Sequence, residues 1–369
     1  MVSIIGAGPV GNYLASNLAK NGISVQVYEE HKVIGTPVAC TGILTSYLTD
    51  FMKVDKEFVV NKINQTNVYS PDGNLASIKL KDNYIVDRTL FDAHLAEIAK
   101  SNGAEYNIGF KFTSMSKSLN GKYSMKFANG ESREDDIIVG ADGPSTSVGR
   151  AKGIYEGRKF VTGHQARVKM NEKIDPNIIE FFLDEGNYIG WLVPEDEKIA
   201  RIGVASHVNV KKHFEELMKK RPGKLLGWQS GAIPVYNPRL DYEKDKVYLI
   251  GDAATQVKAT TYGGIIPGMH AADLLNEVIR DEMPDGSYQN GLKNGIGKDL
   301  HMHLMLRKLM NRFTKEDYNE LIRMCEKKSV KDAIYKFDRE YPKRLLASLF
   351  FKEPRFVKFS RCLFRKEIA

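Results

Sequence analysis

The sequence lacks long apolar runs and closely spaced cysteines. No stretch approaches about 18 consecutive uncharged apolar residues, the length that a membrane-spanning helix requires. The three cysteines, Cys40, Cys325 and Cys362, lie far apart and form no metal-ligand spacing, which suits a reducing compartment. The chain passes from Met1 directly into the strand-like VSII, which leaves no room for a signal peptide. These absences predict a cytoplasmic protein with no metal site.

The composition is ordinary, but the charge is unevenly distributed. Hydrophobic residues make up 42% and charged residues 27% of 369 positions, which is typical of a soluble globular enzyme of about two domains. Residues 298–369 hold 19 Lys and Arg against 10 Asp and Glu, whereas the net charge of the whole chain is +8. The basic excess therefore lies entirely in the C-terminal fifth.

The end of this basic region alternates cations with apolar side chains. The stretch YPKRLLASLFFKEPRFVKFSRCLFRKE, residues 341–367, has the composition of an interfacial helix on anionic lipid at the inner membrane surface. A packed helical subdomain with a solvated basic face would have the same composition. No recognised nucleic-acid-binding module accompanies the basic residues, so we expect no nucleic-acid partner.

A glycine-rich turn near the start predicts a dinucleotide site. The stretch GAGPVG matches G-x-G-x-x-G between a strand-like and a helix-like segment, through Gly6, Gly8, Pro9, Val10 and Gly11. Such glycines permit a tight turn and bring the backbone close to a pyrophosphate at the helix N-terminus. Glu29, at the end of the next strand-like segment, can accept hydrogen bonds from ribose hydroxyls. The motif alone suits NAD as well as FAD.

Two later blocks distinguish these cofactors. IIVGADGPSTSVGR (137–150) and VYLIGDAATQVKATTYGGIIPG (247–268) are strand-like segments that run into glycine turns. Together with the first motif, and in this order, they resemble the FAD-dependent oxidoreductases built like aromatic hydroxylases. The resemblance implies FAD as the cofactor. It also implies further FAD-binding residues, which are Arg88, Asp142, Gly143, Asp252, Ala253, Gly263, Gly264 and Ile265.

The family pattern also implies roles for Asp252 and for the Gly263-Gly264 pair. Asp252 would bind the ribitol chain, and the helix that begins after Gly263 and Gly264 would direct its N-terminus towards the flavin, where it stabilises negative charge. Taken singly, Asp142 and Asp252 could instead serve turns and helix caps.

Two further segments narrow the resemblance. IGTPVACTGIL (34–44) is similar to the I-G-x-P-x-x-C-x-G-L segment of the geranylgeranyl reductases, and YIGWLVP (188–194) resembles their Y-x-W-x-F-P segment. With the FAD blocks, the resemblance covers residues 1–290. It implies that Cys40, Thr41 and Gly42 contact the flavin and that Cys40 is catalytic. It also implies a substrate cavity lined by Tyr188, Trp191 and Pro194.

These residues have plainer interpretations as well. Cys40 could be a buried thiol, and Tyr188 and Trp191 could be core aromatics of an antiparallel sheet. In the family pattern Tyr stands two residues before Trp, whereas here it stands three before, so the rings face opposite sides of a strand unless Gly190 forms a bulge.

The activity implied by the resemblance is FAD-dependent reduction of carbon–carbon double bonds in isoprenoid (geranylgeranyl) chains, especially of prenylated lipids. An isolated alkene has no carbonyl to polarise it, so hydride and a proton must arrive in a dry, shaped pocket. Cys40 could gate that position, orient a water or donate weakly. The alternatives are an aromatic monooxygenase, a non-redox flavin-dependent isomerase or cyclase of isoprenoids, and a flavin-carrying binding protein.

The sequence also predicts an external electron donor, because it contains neither a second dinucleotide motif nor a set of iron–sulfur cysteines. The predicted fold class is α/β. A Rossmann-like FAD-binding domain comprises residues 1–60, 86–154 and 245–290. An inserted antiparallel-sheet substrate domain comprises 61–85 and 155–244, and a basic helical C-terminal region comprises 291–369.

Overall fold

The computed structural model describes residues 1–184 and 188–367, so the last two residues of the predicted basic region lie outside the described part. The chain divides into two compact units. The first comprises residues 1–38, 87–159 and 233–301, and the second comprises 39–86, 160–232 and 302–369.

The elements are numbered along the chain. The strands are β1 (Val2–Ile5), β2 (Val25–Glu29), β3 (Ile43–Thr45), β4 (Val59–Tyr69), β5 (Leu75–Val86), β6 (Glu105–Ile108), β7 (Phe112–Lys117), β8 (Tyr123–Phe127), β9 (Ser132–Asp135), β10 (Ile137–Gly140), β11 (Phe160–Met170), β12 (Ile178–Asp184), β13 (Tyr188–Pro194), β14 (Ile199–Ser206), β15 (Gly223–Pro234), β16 (Glu243–Lys244) and β17 (Val247–Leu249). The α-helices are α1 (Pro9–Lys20), α2 (Arg88–Ser101), α3 (Ser147–Lys152), α4 (Val210–Lys220), α5 (Ile265–Arg280), α6 (Ser287–Asn294), α7 (Ile296–Met310), α8 (Lys315–Cys325), α9 (Lys328–Lys336) and α10 (Pro342–Lys352). Short 3₁₀ helices cover Ser46–Asp50, Gly251–Ala254 and Pro354–Phe364.

The first unit is built on a six-stranded sheet in the order β16-β17-β10-β1-β2-β6. All its pairs are parallel except β16 with β17. The central strands β1, β10 and β17 are largely apolar because such a sheet is buried on both faces, and β1 has every residue buried. Parallel strands place their carboxyl ends at one edge of the sheet, where ligands bind in folds of this kind. The predicted Rossmann-like domain is confirmed.

The same unit contains a second sheet. Strands β7, β8 and β9 form a three-stranded sheet, and each hairpin turn has an Asn-Gly pair whose glycine has positive φ, +86° at both Gly121 and Gly130. Helix α2 belongs to this unit as well. It begins after Asp87, whose side chain accepts hydrogen bonds from the Thr89 and Leu90 N–H groups.

The second unit is built on an eight-stranded sheet in the order β15-β11-β14-β13-β12-β4-β5-β3. From β11 to β3 in this order, neighbouring strands are antiparallel except β12 with β4. The predicted antiparallel sheet is therefore confirmed, with one parallel pair within it. One face packs against α4 through a core that includes Phe182, Tyr188, Leu192 and Phe214.

The two units depart from the sequence-based domain limits at several places. Residues 155–159 and 233–244, expected in the substrate domain, and residues 291–301, expected in the C-terminal region, belong to the first unit. Residues 39–60, expected with residues 1–38, group with the eight-stranded sheet because β3 pairs with β5. Residues 302–367 group there too, since Ile322 of α8 packs on Ala76 and Ile78 of β5. Neither contact leaves a local signal in the sequence.

The C-terminal helices have a core of their own and several buried charged residues, of which Asp317 is one. Phe313, Tyr318, Phe356, Phe359 and Cys362 form that core. Asp317 is buried beside it, and its carboxylate accepts hydrogen bonds from the Thr314 N–H at 3.0 Å and from the guanidinium groups of Arg361 and Arg365.

These contacts determine the ionisation of the Asp317 carboxyl. Burial raises its pKa, but the Thr314 N–H and the two guanidinium groups outweigh burial and lower the pKa to about 2. The ionised Asp317 carboxylate therefore links the basic tail, through Arg361 and Arg365, to α8. Within the described part of the chain, no helix is both long and apolar enough to cross a bilayer.

The Asp317 contacts predict a pH dependence of stability. A carboxyl whose pKa is depressed on folding stabilises the protein above its unfolded pKa, and that stabilisation is lost as pH falls from about 4 towards 2. Asp317→Asn should lower the free energy of unfolding by about 1.5–3 kcal/mol at pH 7, the usual contribution of hydrogen bonds to a charged group. It should also flatten the acid limb of the stability profile, measured by urea denaturation. Asp332→Asn, at an exposed residue of α9, is the control and should change neither. Equal acid limbs for wild type and Asp317→Asn would contradict this account.

Candidate functional site

The turns after β1, β10 and β17 lie side by side at the carboxyl edge of the parallel sheet. Backbone hydrogen bonds join them: Ala141 N–H donates to Ile5 O at 2.8 Å, and Ile250 N–H donates to Gly140 O at 3.0 Å. The three predicted blocks, far apart in sequence, are therefore adjacent in the first unit.

The three glycines of the first turn have different surroundings. A Cβ on Gly6 would lie 2.4 Å from Ala141 O, and one on Gly11 would lie 2.3 Å from Gly6 O, so both positions exclude a side chain. A Cβ on Gly8 would meet nothing within 4 Å. Gly8 is also the N-cap of α1 and provides no side-chain cap, while Pro9 occupies the first turn. The backbone at Gly8 thus faces open space at a helix N-terminus, a geometry suited to a phosphate.

Glu29 lies at the end of β2, as predicted, and is attached to this turn. Its Oε2 accepts a hydrogen bond from the Ala7 N–H at 2.8 Å, and its Oε1 accepts one from the His31 N–H at 2.9 Å. His31 Nδ1 also lies 2.7 Å from Oε1. A carboxylate offers about four acceptor positions, so Glu29 retains one for a ribose hydroxyl.

Asn12 is a site residue that the motif did not single out. Its Nδ2 donates to Ala7 O at 2.8 Å and to Asp92 O at 3.0 Å, and its Oδ1 accepts from the Tyr106 hydroxyl. Asn12 is fully buried and connects the glycine turn to α2. A polar residue on the apolar side of α1 was the available signal.

Arg88 begins α2 and forms a two-point ion pair with Asp92. Its Nε and Nη2 lie 2.9 and 2.8 Å from the two carboxylate oxygens. Burial raises the pKa of Asp92, and the Arg88 charge opposes that rise. The guanidinium of Arg88 is thereby oriented at the carboxyl edge, and its charge also lowers the pKa of Asp252.

Asp142 follows β10 and combines a structural contact with an unused acceptor. Its Oδ2 accepts from the Val148 N–H at 3.0 Å, in the manner of the helix-cap interpretation. Its Oδ1 is buried and lacks a hydrogen-bond partner within the described residues. Gly143, with φ +75°, forms the turn that follows. A buried acceptor of this kind is expected to meet a ligand or a water.

Asp252 follows β17 and lies at the beginning of α5. A Cβ on Gly264 would lie 2.9 Å from Asp252 Oδ1, so the carboxylate is beside the N-terminus of that helix. Burial raises the pKa of Asp252 to about 6, while Arg88 opposes the rise. The helix begins at Ile265 without a side-chain cap.

Two cations near these carboxylates were missed by the sequence analysis. Lys258 is buried, and a Cβ on Gly263 would lie 3.5 Å from its Nζ. Arg158 donates a hydrogen bond to Ala253 O, whereas its buried Nε and Nη1 have no partner within the described residues. Arg158 belongs to no pattern visible in the sequence, whereas Lys258 lies within the 247–268 block but is not one of the residues that the resemblance implies.

The cysteine segment belongs to the second unit. Cys40 is half-buried, and its Sγ accepts a hydrogen bond from the Gly42 N–H at 3.3 Å. Gly42 has φ +76°, and a Cβ there would lie 2.5 Å from Val86 O, so only glycine fits. The Thr41 hydroxyl donates to Gln165 Oε1 at 2.7 Å.

The three residues predicted to line the substrate cavity do not come together. Strand β13 pairs in unbroken register with both neighbours, so no bulge occurs at Gly190. Tyr188 packs in the α4 core, where its ring stacks on His213 at 4.5 Å, and burial raises its pKa. Pro194 is buried and, by alternation along the strand, shares the Tyr188 side. Trp191 points to the opposite face.

That opposite face carries a half-buried apolar wall. Buried Ile63, Ile85, Ile179 and Val193 form its base. The partly exposed side chains of the wall are Ile43, Phe181 and Trp191. This wall can bind an apolar group by shape alone. Among the described residues there is no group of three His, Cys, Asp or Glu side chains arranged to hold a metal ion.

Comparisons with known proteins give a consistent picture. An NAD(P)-binding Rossmann-like domain family matches residues 4–46. The chain is 28% identical over 362 residues to the digeranylgeranylglycerophospholipid reductase of Methanothrix thermoacetophila, in an alignment that covers 89% of this chain and 92% of the relative.

Solved structures show the same fold. A geranylgeranyl bacteriochlorophyll reductase-like protein from Thermoplasma acidophilum superposes with a TM-score of 0.84 at 22% identity, over 98% of both chains. A mutant of the halogenase PltM, solved in complex with FAD, gives 0.64 at 14% identity, over 98% of this chain and 85% of its own. The predicted resemblance to the geranylgeranyl reductases, within the FAD-dependent oxidoreductases, is confirmed and extends over most of the chain.

Proposed function

We propose that this protein is an FAD-dependent reductase of carbon–carbon double bonds in the isoprenoid chains of prenylated glycerophospholipids. The observation that carries the proposal is the similarity over 89% of the chain to a digeranylgeranylglycerophospholipid reductase. The chemistry of the residues in each unit supports it.

The residues of the first unit fit FAD. The open backbone at Gly8 would hold the pyrophosphate, and the free Oδ1 of Asp142 supplies a buried acceptor. Glu29 would accept from the ribose, and Asp252 from the ribitol chain. With a pKa of about 6, Asp252 is predominantly a carboxylate at neutral pH and therefore an acceptor.

When bound and reduced by an external electron donor, FAD would supply the hydride for the double bond. The uncapped N-terminus of α5 and the Lys258 ammonium place positive charge beside Gly263 and Gly264. Such charge stabilises an anion held at that point, as the pyrimidine end of a reduced flavin would be.

The second unit supplies a wall for a substrate without polar groups. An isoprenoid chain offers shape and apolar area only, so its binding requires apolar side chains that remain accessible. Phe181 and Trp191 meet this requirement because each is half-buried above a base of buried aliphatic residues. They would hold one double bond in a defined orientation and keep water away from it.

Cys40 is the residue we propose for gating or proton delivery at the double bond. Hydride addition to one alkene carbon must be accompanied by a proton at the other. A half-buried thiol can donate such a proton or orient a water that does. The hydrogen bond from the Gly42 N–H holds the Sγ in place.

We also propose that the basic tail contacts an anionic membrane surface. Large apolar side chains are exposed beside Lys352, Arg355, Lys358 and Lys366; Phe351 is 82% and Phe364 is 94% exposed. Aromatic side chains between cations are typical of peripheral lipid-binding segments.

The direct test is anaerobic incubation of the dithionite-reduced, FAD-loaded protein with a digeranylgeranyl glycerophospholipid, followed by mass spectrometry. The product mass should rise by two hydrogens for each reduced bond. A product of unchanged mass would instead indicate an isomerase or cyclase, and an oxygen-dependent gain of one oxygen atom would indicate a monooxygenase. Either result, or no product, contradicts the proposal.

In the same assay Cys40→Ala should lose about a hundredfold or more in rate, because general acid–base catalysis contributes at least about that much. Dithionite reduction of its flavin should stay normal. Cys325→Ala, at a half-buried thiol of α8, is the control. Full activity of Cys40→Ala would exclude the catalytic role.

Gly8→Ala should fold normally but bind FAD at least about tenfold more weakly, a loss of about 1.4 kcal/mol. The new Cβ meets no protein atom and instead enters the space where the pyrophosphate approaches. FAD titration of the apoprotein and its thermal unfolding midpoint are the measurements. Gly227→Ala, which also meets nothing within 4 Å, is the control. Undiminished FAD affinity in Gly8→Ala would contradict the assigned role of this turn.

Phe351→Ser combined with Phe364→Ser should weaken binding to phosphatidylglycerol vesicles by at least about tenfold, because a buried Phe contributes about 1.5–3 kcal/mol. Cosedimentation at low and high salt measures this, and salt should weaken the wild-type interaction. Leu119→Ser, at a fully exposed leucine of the first unit, is the control. Equal binding by the double variant would exclude tail insertion.

A further inference from the structure

Three residues on neighbouring strands form one row on the wall face of the eight-stranded sheet. Gln165 of β11 pairs with Gly203 of β14, and Gly203 pairs with Trp191 of β13. Because Gly203 has no side chain, the indole of Trp191 lies across it. A Cβ on Gly203 would be only 2.5 Å from Trp191 Cζ2. The row therefore brings the indole within reach of Gln165.

The side chain of Gln165 is a shared acceptor. Trp191 Nε1–H donates to Gln165 Oε1 at 2.8 Å, and the Thr41 hydroxyl donates to the same oxygen at 2.7 Å. An indole N–H can only donate, so the oxygen of the amide must face it. The remaining end, Nε2, donates to Gln229 Oε1 at 3.0 Å. Gln165 is only 5% exposed, so this orientation is held away from solvent.

The backbone on the other side of Thr41 is held as firmly. Arg201 Nη1 donates to Thr41 O at 2.6 Å and to Val86 O at 2.8 Å. Arg201 is itself oriented by Glu195, whose Oε1 accepts from Nε at 2.9 Å. The segment next to Cys40 is thus attached to the sheet by two buried side chains, and of these two Gln165 is the one that also contacts Trp191.

The geometry points to Gln165 as a positioning residue that sets the indole of Trp191 and the Cys40–Gly42 segment in one fixed relation. This inference rests on the proposed function for its consequence, since an apolar chain is selected only by the shape of its wall. With Gln165 intact, one orientation of the indole admits one placement of each double bond. Without it, the indole rotates and the Thr41 hydroxyl loses its acceptor, so placement becomes loose.

The first test needs no substrate. The sequence contains two tryptophans, so in a Trp228→Phe background the intrinsic fluorescence reports Trp191 alone. Gln165→Leu should increase acrylamide quenching of Trp191 by about twofold and lower its anisotropy, as expected for an indole released from a buried hydrogen bond. Gln165→Glu keeps an acceptor oxygen and should restore most of the wild-type signal. Quenching unchanged in Gln165→Leu, or equally increased in both variants, would overturn the inference.

The second test uses the reductase assay. Gln165→Leu should raise KM for the lipid and broaden the distribution of partially reduced products, while the flavin spectrum and the rate of flavin reduction stay unchanged. A purely structural defect would instead also reduce the flavin absorbance and the rate of flavin reduction. The control is Gln65→Leu, because Gln65 lies on β4 of the same sheet and bonds Ser77 outside this row. A wild-type product distribution in Gln165→Leu would overturn the positioning role.

A further variant covers the case in which Gln165→Leu does not fold. Thr41→Val removes one donor and leaves the Trp191 bond in place, so it should alter the product distribution without altering Trp191 quenching. An unchanged distribution would contradict the coupling to the cysteine segment. If the wild-type protein reduces no isoprenoid, the proposed function fails, whereas the fluorescence of the Gln165 variants still decides whether Gln165 positions the indole.

Discussion

The structure of the first unit depends on the close approach of the β1–α1 turn to the end of β10. Gly6 lies so near Ala141 O that no side chain fits, and Gly11 lies equally near Gly6 O. This approach allows the turns after β1, β10 and β17 to meet at one edge. Glu29, Asp142 and Asp252 reach that edge from three different strands, and Arg88, Arg158 and Lys258 supply the compensating charge. A larger residue at Gly6 or Gly11 would separate the turns and disperse the acceptors.

The two faces of the eight-stranded sheet in the second unit have different roles. Residues that alternate along β13 divide between them: Tyr188 and Leu192 enter the α4 core, and Trp191 and Val193 enter the wall. One face therefore provides stability, while the other remains partly open. Gly203 determines where the indole of Trp191 lies, because the absence of a side chain there lets the ring lie across the neighbouring strand.

The sequence predicts those parts of the molecule that local patterns determine. The parallel-sheet unit and its three glycine-turn blocks were visible, because glycine turns that follow strand-like segments are local patterns. The opposite orientation of Tyr188 and Trp191 also followed from strand alternation. Gln165 and Arg158 could not be identified, because their hydrogen-bond partners Trp191 and Ala253 lie 26 and 95 residues away in the sequence. Asn12 left a signal as a polar residue on the apolar side of α1, but its partner Tyr106 lies 94 residues away. The grouping of residues 39–60 with the sheet depends on the pairing of β3 with β5, which no motif encodes.

The central claim is that three distant turns form a single binding site for FAD. The most direct measurement is the visible absorption spectrum of the purified protein, before and after incubation with FAD, with the bound nucleotide released and identified by chromatography. The account predicts a flavin spectrum and one FAD per chain, with no retention of NAD under the same conditions. A colourless protein that cannot be reconstituted with FAD would contradict it.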